Sequence, residues 1–82
     1  MDIADIYKNQ HVVGTNQTLK HVRAKSAVIV FLAEDAAEKI KGQIIAECEA
    51  FGVQVKSAPS MRQLGNCCNI GRNAACAAVI NN

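Results

Sequence analysis

The sequence has no tryptophan, one tyrosine and two phenylalanines in 82 residues. Half of it is nonetheless hydrophobic, mostly alanine, valine and isoleucine, which is enough to build a core and argues against disorder. A core of thin, branched side chains lets helices lie close to a sheet, so the composition points to packed α/β layers. The length is that of one domain. A chain this short buries only roughly 60% of its unfolded surface, which leaves little room for a deep active site.

Other absences narrow the reading. No segment approaches the roughly 20 apolar residues of a membrane helix. The opening MDIADIYKNQ carries two acids and no long apolar run, so no signal peptide and no membrane partner are expected. A cytoplasmic location is expected, with the four cysteines reduced. No Cys-x-x-Cys pair occurs. Adjacent Cys67 and Cys68 on a helix point about 100° apart, which suits a shared metal ion poorly. Cys48 and Cys76 fall on apolar positions, where a free cysteine behaves as a small hydrophobe; metal or thiol chemistry is the competing reading. His11 and His21 have no evident carboxylate partner, and no phosphate-loop, nucleophile-elbow or zinc signature occurs. The chain is therefore not expected to be an enzyme or to carry a cofactor or metal. No repeat, low-complexity stretch or linker divides it, so residues 1–82 read as a single domain.

Acids are missing from two long segments. Residues 6–33 carry Lys8, Lys20, Arg23 and Lys25 with no acid, and residues 50–82 carry Lys56, Arg62 and Arg72 with no acid. All seven acids sit at Asp2 and Asp5 or between Glu34 and Glu49, although the net charge is only +2. If the fold joins the two basic segments, they form a positive face suited to phosphates. Otherwise they are a scattered, solvated surface.

Residues 2–8 read as a short helix with Ile3, Ile6 and Tyr7 on one side. Val12 and Val13 form a very short strand broken by Gly14. Thr15 or Asn16 can cap a helix running to about Arg23, with Leu19 and Val22 inward and Asn16, Gln17 and Lys20 on the opposite face. Ala27–Ala33, a continuous apolar run, predicts a strand buried on both faces. Residues 37–51 place Ile40, Ile44, Cys48 and Phe51 at helical spacing, and Gly52 supplies a left-handed stop. Val53–Val55 is a short strand, Ser60 to about Cys68 a helix with Met61 and Leu64 inward, Asn69–Asn73 a loop, and Ala74–Ile80 a last strand. This alternation implies a central sheet between helices.

Two stretches carry chemistry. Gly14-Thr15-Asn16-Gln17-Thr18-Leu19-Lys20 is a glycine turn into a helix start, which presents free backbone N–H groups and the positive dipole end. Asn16 and Gln17 can each donate and accept, as base edges require, and Lys20 can hold a phosphate or a guanine. The same heptad also fits an ordinary amphipathic helix start. The second stretch is Asn69-Ile70-Gly71-Arg72-Asn73. Ile70 beside Arg72 is a platform for an unstacked base, or else Ile70 folds back onto the core.

Together these segments, with Ala33-Glu34-Asp35-Ala36, Phe51-Gly52-Val53-Gln54-Val55 and Ser60-Met61-Arg62-Gln63-Leu64-Gly65, resemble the kink-turn-binding family of ribosomal protein L-seven-Ae. The resemblance runs from about Gln10 to Ile80. It implies a three-layer α/β/α sandwich around a mixed four-stranded sheet, and a single kink-turn RNA-binding domain acting as a monomer on ribosomal RNA or another structured RNA. In a kink-turn, a three-nucleotide bulge beside tandem sheared G·A pairs bends the duplex and opens a major groove otherwise too narrow to read. The resemblance gives Asn16, Gln17 and Lys20 the guanine contacts, with Gly14 and Thr15 among the RNA-binding residues of the same helix start, and gives Asn69, Ile70, Gly71, Arg72 and Asn73 the bulged nucleotide. The sequence departs from the pattern in three places. Gln17 stands where many members have Glu, so it accepts through one atom only. Asn69 replaces a usual Gly but tolerates the left-handed backbone. Gly71-Arg72 replaces a common Glu-Val. A second expectation on the same fold is a protein-interaction module with no RNA affinity of its own.

Overall fold

The computed structural model describes residues 1–81. The chain runs 3-10 helix (Ile3–Lys8), β1 (His11–Val13), α1 (Thr15–Arg23), β2 (Ala27–Ala33), α2 (Glu38–Phe51), β3 (Gln54–Ala58), α3 (Met61–Cys67), β4 (Cys76–Ile80). The strands form one sheet in the order β1-β4-β2-β3. β2 and β3 are parallel, joined across α2, while β4 runs antiparallel to both β1 and β2.

The sheet alternates faces along each central strand, as the pleat requires. Ile29, Phe31 and Ala33 of β2, with Ala77 and Val79 of β4, bury against α3 and the 3-10 helix through Leu64, Cys68 and Ile6. Val30, Leu32, Cys76 and Ala78 bury the other way, against Leu19 and Val22 of α1 and Ile44 and Cys48 of α2. The molecule is thus the expected α/β/α sandwich with a mixed four-stranded sheet. The two central strands are the apolar ones, AVIVFLA and CAAVI, because they alone are covered on both faces. The edge strand QVKSA is largely exposed.

Several local expectations change. The first helix is a 3-10 helix, capped by a reciprocal Asp2–Asp5 box. Three residues per turn put Ile3 and Ile6 on one side and turn Tyr7 off it. Ile6 is buried whereas Tyr7 is 60% exposed. Phe51, at the last position of α2, is 39% exposed and outside the core. β3 extends to Ala58 and α3 starts at Met61, with Ser60 as its cap accepting from the Gln63 N–H at 3.0 Å. The last strand begins at Cys76, and Ala74 and Ala75 belong to the loop before it.

All three α-helices end alike. Within two residues of each helix end the chain adopts a left-handed backbone: Lys25 (φ 60), Gly52 (φ 69) and Asn69 (φ 57). Each ending makes a paired set of bonds to the last carbonyls, such as Lys25 N–H to Val22 O and Ser26 N–H to His21 O. This double closure satisfies carbonyls that a helix end otherwise leaves open.

Three of the four thiols, Cys48, Cys68 and Cys76, are core residues. Burial pushes the Cys48 thiol from 9.0 up to about 11, aided by neighbouring Cys76 and Glu47, and pushes Cys68 up to about 11, aided by Cys67. Burial also raises Cys76. An unfolded chain ionises these thiols near their ordinary pKa and the folded chain does not. Their contribution to stability is therefore complete below pH 9 and is lost as the pH rises toward 11. The urea midpoint should fall over that window, and less steeply in a Cys48→Ala/Cys68→Ala variant. Equal slopes would contradict the assignment.

Candidate nucleic-acid interface

Both chemistry-bearing stretches leave the sheet at the same end. β1 and β4 are antiparallel with Val13 opposite Ala77, so the exit of β1 lies beside the entry of β4. The Gly14 N–H donates to Cys76 O at 2.9 Å, which ties the root of α1 to the first residue of β4. Thr15 Oγ1 adds a 3.9 Å contact to Cys76 Sγ. The loop preceding β4 is anchored by Ala33 N–H to Ala75 O at 2.9 Å and Ala74 N–H to Met61 O at 3.0 Å. The ends of β2 and β3 come to the same edge, where Ala33 pairs with Ala58.

The root of α1 differs in detail from the expected cap. Gly14 itself precedes the helix, with φ 98, and no side chain caps it. A left-handed backbone at this point favours glycine. Asn16 is therefore not spent on a cap. It is exposed with Gln17 and Lys20, while Thr18, Leu19 and Val22 are buried beneath them. Thr18 Oγ1 is buried without a hydrogen-bond partner among the described residues. Arg23 is committed elsewhere, paired with Glu47 of α2. No ion pair among the described residues engages Lys20 or Arg72.

The second stretch is built as the closure of α3. Asn69 N–H donates to Asn66 O at 3.1 Å and Ile70 N–H to Gly65 O at 3.3 Å. This closing motif commonly folds the residue after the left-handed one onto the helix. Ile70 accordingly packs against the core cluster that contains Leu64 and is half-buried. The freely exposed Ile70 platform is thus corrected: what the loop presents outward is Asn69, Gly71, Arg72 and Asn73, all exposed. Asn69 adopts the left-handed backbone that its substitution for Gly requires, and Gly71 follows at φ 71.

Sequence reasoning missed two contributors. Asp35 reaches across 26 residues to accept from the Met61 N–H at 2.7 Å, fixing the start of α3. It also shows that this end carries acids as well as bases. Gly65 lies inside α3, where the Arg72 carbonyl oxygen would stand 1.8 Å from any Cβ. A glycine inside a seven-residue helix was the available signal, since it weakens a helix unless packing demands it.

A family model described as the ribosomal protein L7Ae/L30e/S12e/Gadd45 family matches residues 5–82. The chain belongs to that family. This L7Ae-family chain is 38% identical over 69 residues, 84% of each chain, to an RNA-binding protein of Caldanaerobacter subterraneus. It is 35% identical over the same share to the RNA-binding protein YbxF of Geobacillus stearothermophilus. In structure it resembles the Giardia lamblia 15.5kD RNA binding protein, with TM-score 0.79 and 27% identity, over 98% of this chain and 66% of that one. A Bacillus halodurans protein of unknown function superposes with TM-score 0.87 at 19% identity, over 96% of this chain and 83% of that one, which speaks to the fold. The expectation of a non-enzyme accords with this family and with relatives named RNA-binding proteins. No helix among the described residues is long and apolar enough to cross a membrane.

Proposed function

We propose that this chain binds RNA, and that its target is a kink-turn in ribosomal or another structured RNA. The observation that carries the reading is the Gly14 N–H to Cys76 O bond, which roots the exposed Asn16, Gln17 and Lys20 next to the strand that the Asn69–Asn73 loop feeds. A helix tip with free N–H groups and amide side chains can read guanine edges only where a groove is open. A-form RNA opens its major groove where it is bent. Asn16 and Gln17 would meet the base edges, Lys20 a guanine or phosphate, and Arg72 the displaced strand. Membership of a family whose relatives are named RNA-binding proteins supports the same reading.

Titration against a kink-turn duplex and a straight duplex of equal length tests the proposal. Affinity for the kink-turn should be greater by on the order of 100-fold, or roughly 3 kcal/mol. Fluorescence transfer between the RNA ends should rise as protein is added. Equal affinity for both duplexes would rule out shape recognition, and no affinity for either would favour a protein-interaction module.

A further inference from the structure

We infer that Gly65 is the positioning residue of the recognition loop, holding it in its binding conformation before any RNA arrives. The inference rests on the RNA reading above and adds how the loop is set.

Gly65 touches the loop at two points. Its carbonyl accepts the Ile70 N–H at 3.3 Å. Its Cα face meets Arg72: a Cβ there would lie 1.8 Å from the Arg72 carbonyl oxygen, 2.9 Å from its carbon and 3.3 Å from Asn73 Cα. The atoms it would strike are backbone, so no rotamer change relieves the clash. With hydrogen in place of Cβ, the Arg72 carbonyl can rest on the helix as a Cα–H···O contact.

The two contacts bracket Gly71, whose left-handed φ of 71 reverses the chain between them. Ile70 is thereby folded inward and Arg72 has its carbonyl against α3 while its side chain remains exposed. The clamp continues as Ala74 N–H to Met61 O at 3.0 Å, so the loop runs back along α3 to the end of the sheet where α1 begins. Glycine is a poor helix former. Its place inside α3 follows from the loop's need for that surface. A loop ordered in advance loses less conformational freedom on binding. It also offers a base a fixed geometry with no ordering step.

The test uses a kink-turn duplex and the same duplex with one bulge base removed to leave an abasic site. The intact protein should bind the abasic RNA at least fivefold more weakly. Folded Gly65→Ala should bind the two RNAs within twofold of each other. Lys20→Ala should cost the same factor in the Gly65→Ala and wild-type backgrounds, because α1 is untouched. Unchanged discrimination in a folded Gly65→Ala protein overturns the inference. If the wild-type protein binds neither RNA, the RNA reading fails first. Should Gly65→Ala not fold, nitrogen relaxation on the free wild-type protein decides the matter. Order parameters for residues 70–73 near the rigid-backbone value of about 0.85 support a preset loop, and values below about 0.6 overturn it.

Discussion

Lys20→Ala is expected to weaken binding to a kink-turn duplex by roughly 5- to 150-fold, the equivalent of about 1–3 kcal/mol for a contact to a base. The side chain is exposed and shares a helix face with Asn16 and Gln17. It is engaged in no ion pair among the described residues, so its charge is available to a ligand. The pattern of weakening identifies the ligand atom. If Lys20 meets a guanine, its truncation weakens binding to the kink-turn and leaves the straight duplex unaffected. If it meets a phosphate, truncation weakens both and lowers the salt dependence by about one released counterion. Arg23→Ala, only three residues away, is the control: Arg23 is paired with Glu47, and its removal should change affinity far less. Comparable effects at Lys20 and Arg23 would mean that the chain attracts RNA by overall charge.

Phe31→Ala should cost about 3–5 kcal/mol of stability, the usual range for deleting a buried ring. Phe31 is the largest fully buried side chain, 1% exposed, on the sheet face covered by α3 and the 3-10 helix. At 0.05–0.15 kcal/mol per residue, a domain of this size has a total stability of roughly 4–12 kcal/mol. The substitution should therefore remove about a quarter or more of it, and at the low end it unfolds the protein at room temperature. Phe51→Ala is the matched comparison. Phe51 lies on the apolar spacing of α2 in the sequence yet is 39% exposed, and its truncation should cost about 1 kcal/mol or less. Urea unfolding of both variants separates the two positions. A similar cost for each would contradict the division between core and surface.

The contrast between the two phenylalanines shows what was legible. Periodicity places a residue on a helix face but does not say how far the covering layer extends, and at the last position of α2 Phe51 is exposed. β2 was legible because both its faces are buried and the run AVIVFLA has no polar interruption. β3 reads shorter in the sequence than in the fold because Lys56 and Ser57 of this edge strand are exposed and polar, which hides the buried Ala58 beyond them. The alternation of strands and helices was enough for the sandwich and for the two stretches that reach one end of the sheet.

Within the candidate interface, Gly14 and the exposed face of α1 were readable from the glycine break and the spacing of Leu19 and Val22. The capping role offered to Thr15 or Asn16 was not realised, since the left-handed Gly14 makes the turn without a side chain. Ile70 was ambiguous because its fate depends on a helix ending, which is a matter of backbone bonds to Gly65. The requirement for glycine at 65 left only one local trace, a helix-weakening residue inside α3, because it is imposed by the Arg72 carbonyl, seven residues later. Asp35 acts on Met61 across an even longer separation. Bonds set by chain reversal leave little local trace.

The most direct measurement is a titration of the nitrogen-15-labelled protein with kink-turn RNA, following each backbone amide. The two stretches should respond as one surface, with the largest shifts at Gly14–Lys20 and Asn69–Asn73 and little change along β3 or the outer face of α2. Shifts concentrated on β3 or α2, or confined to only one of the two stretches, would contradict a shared RNA-reading surface.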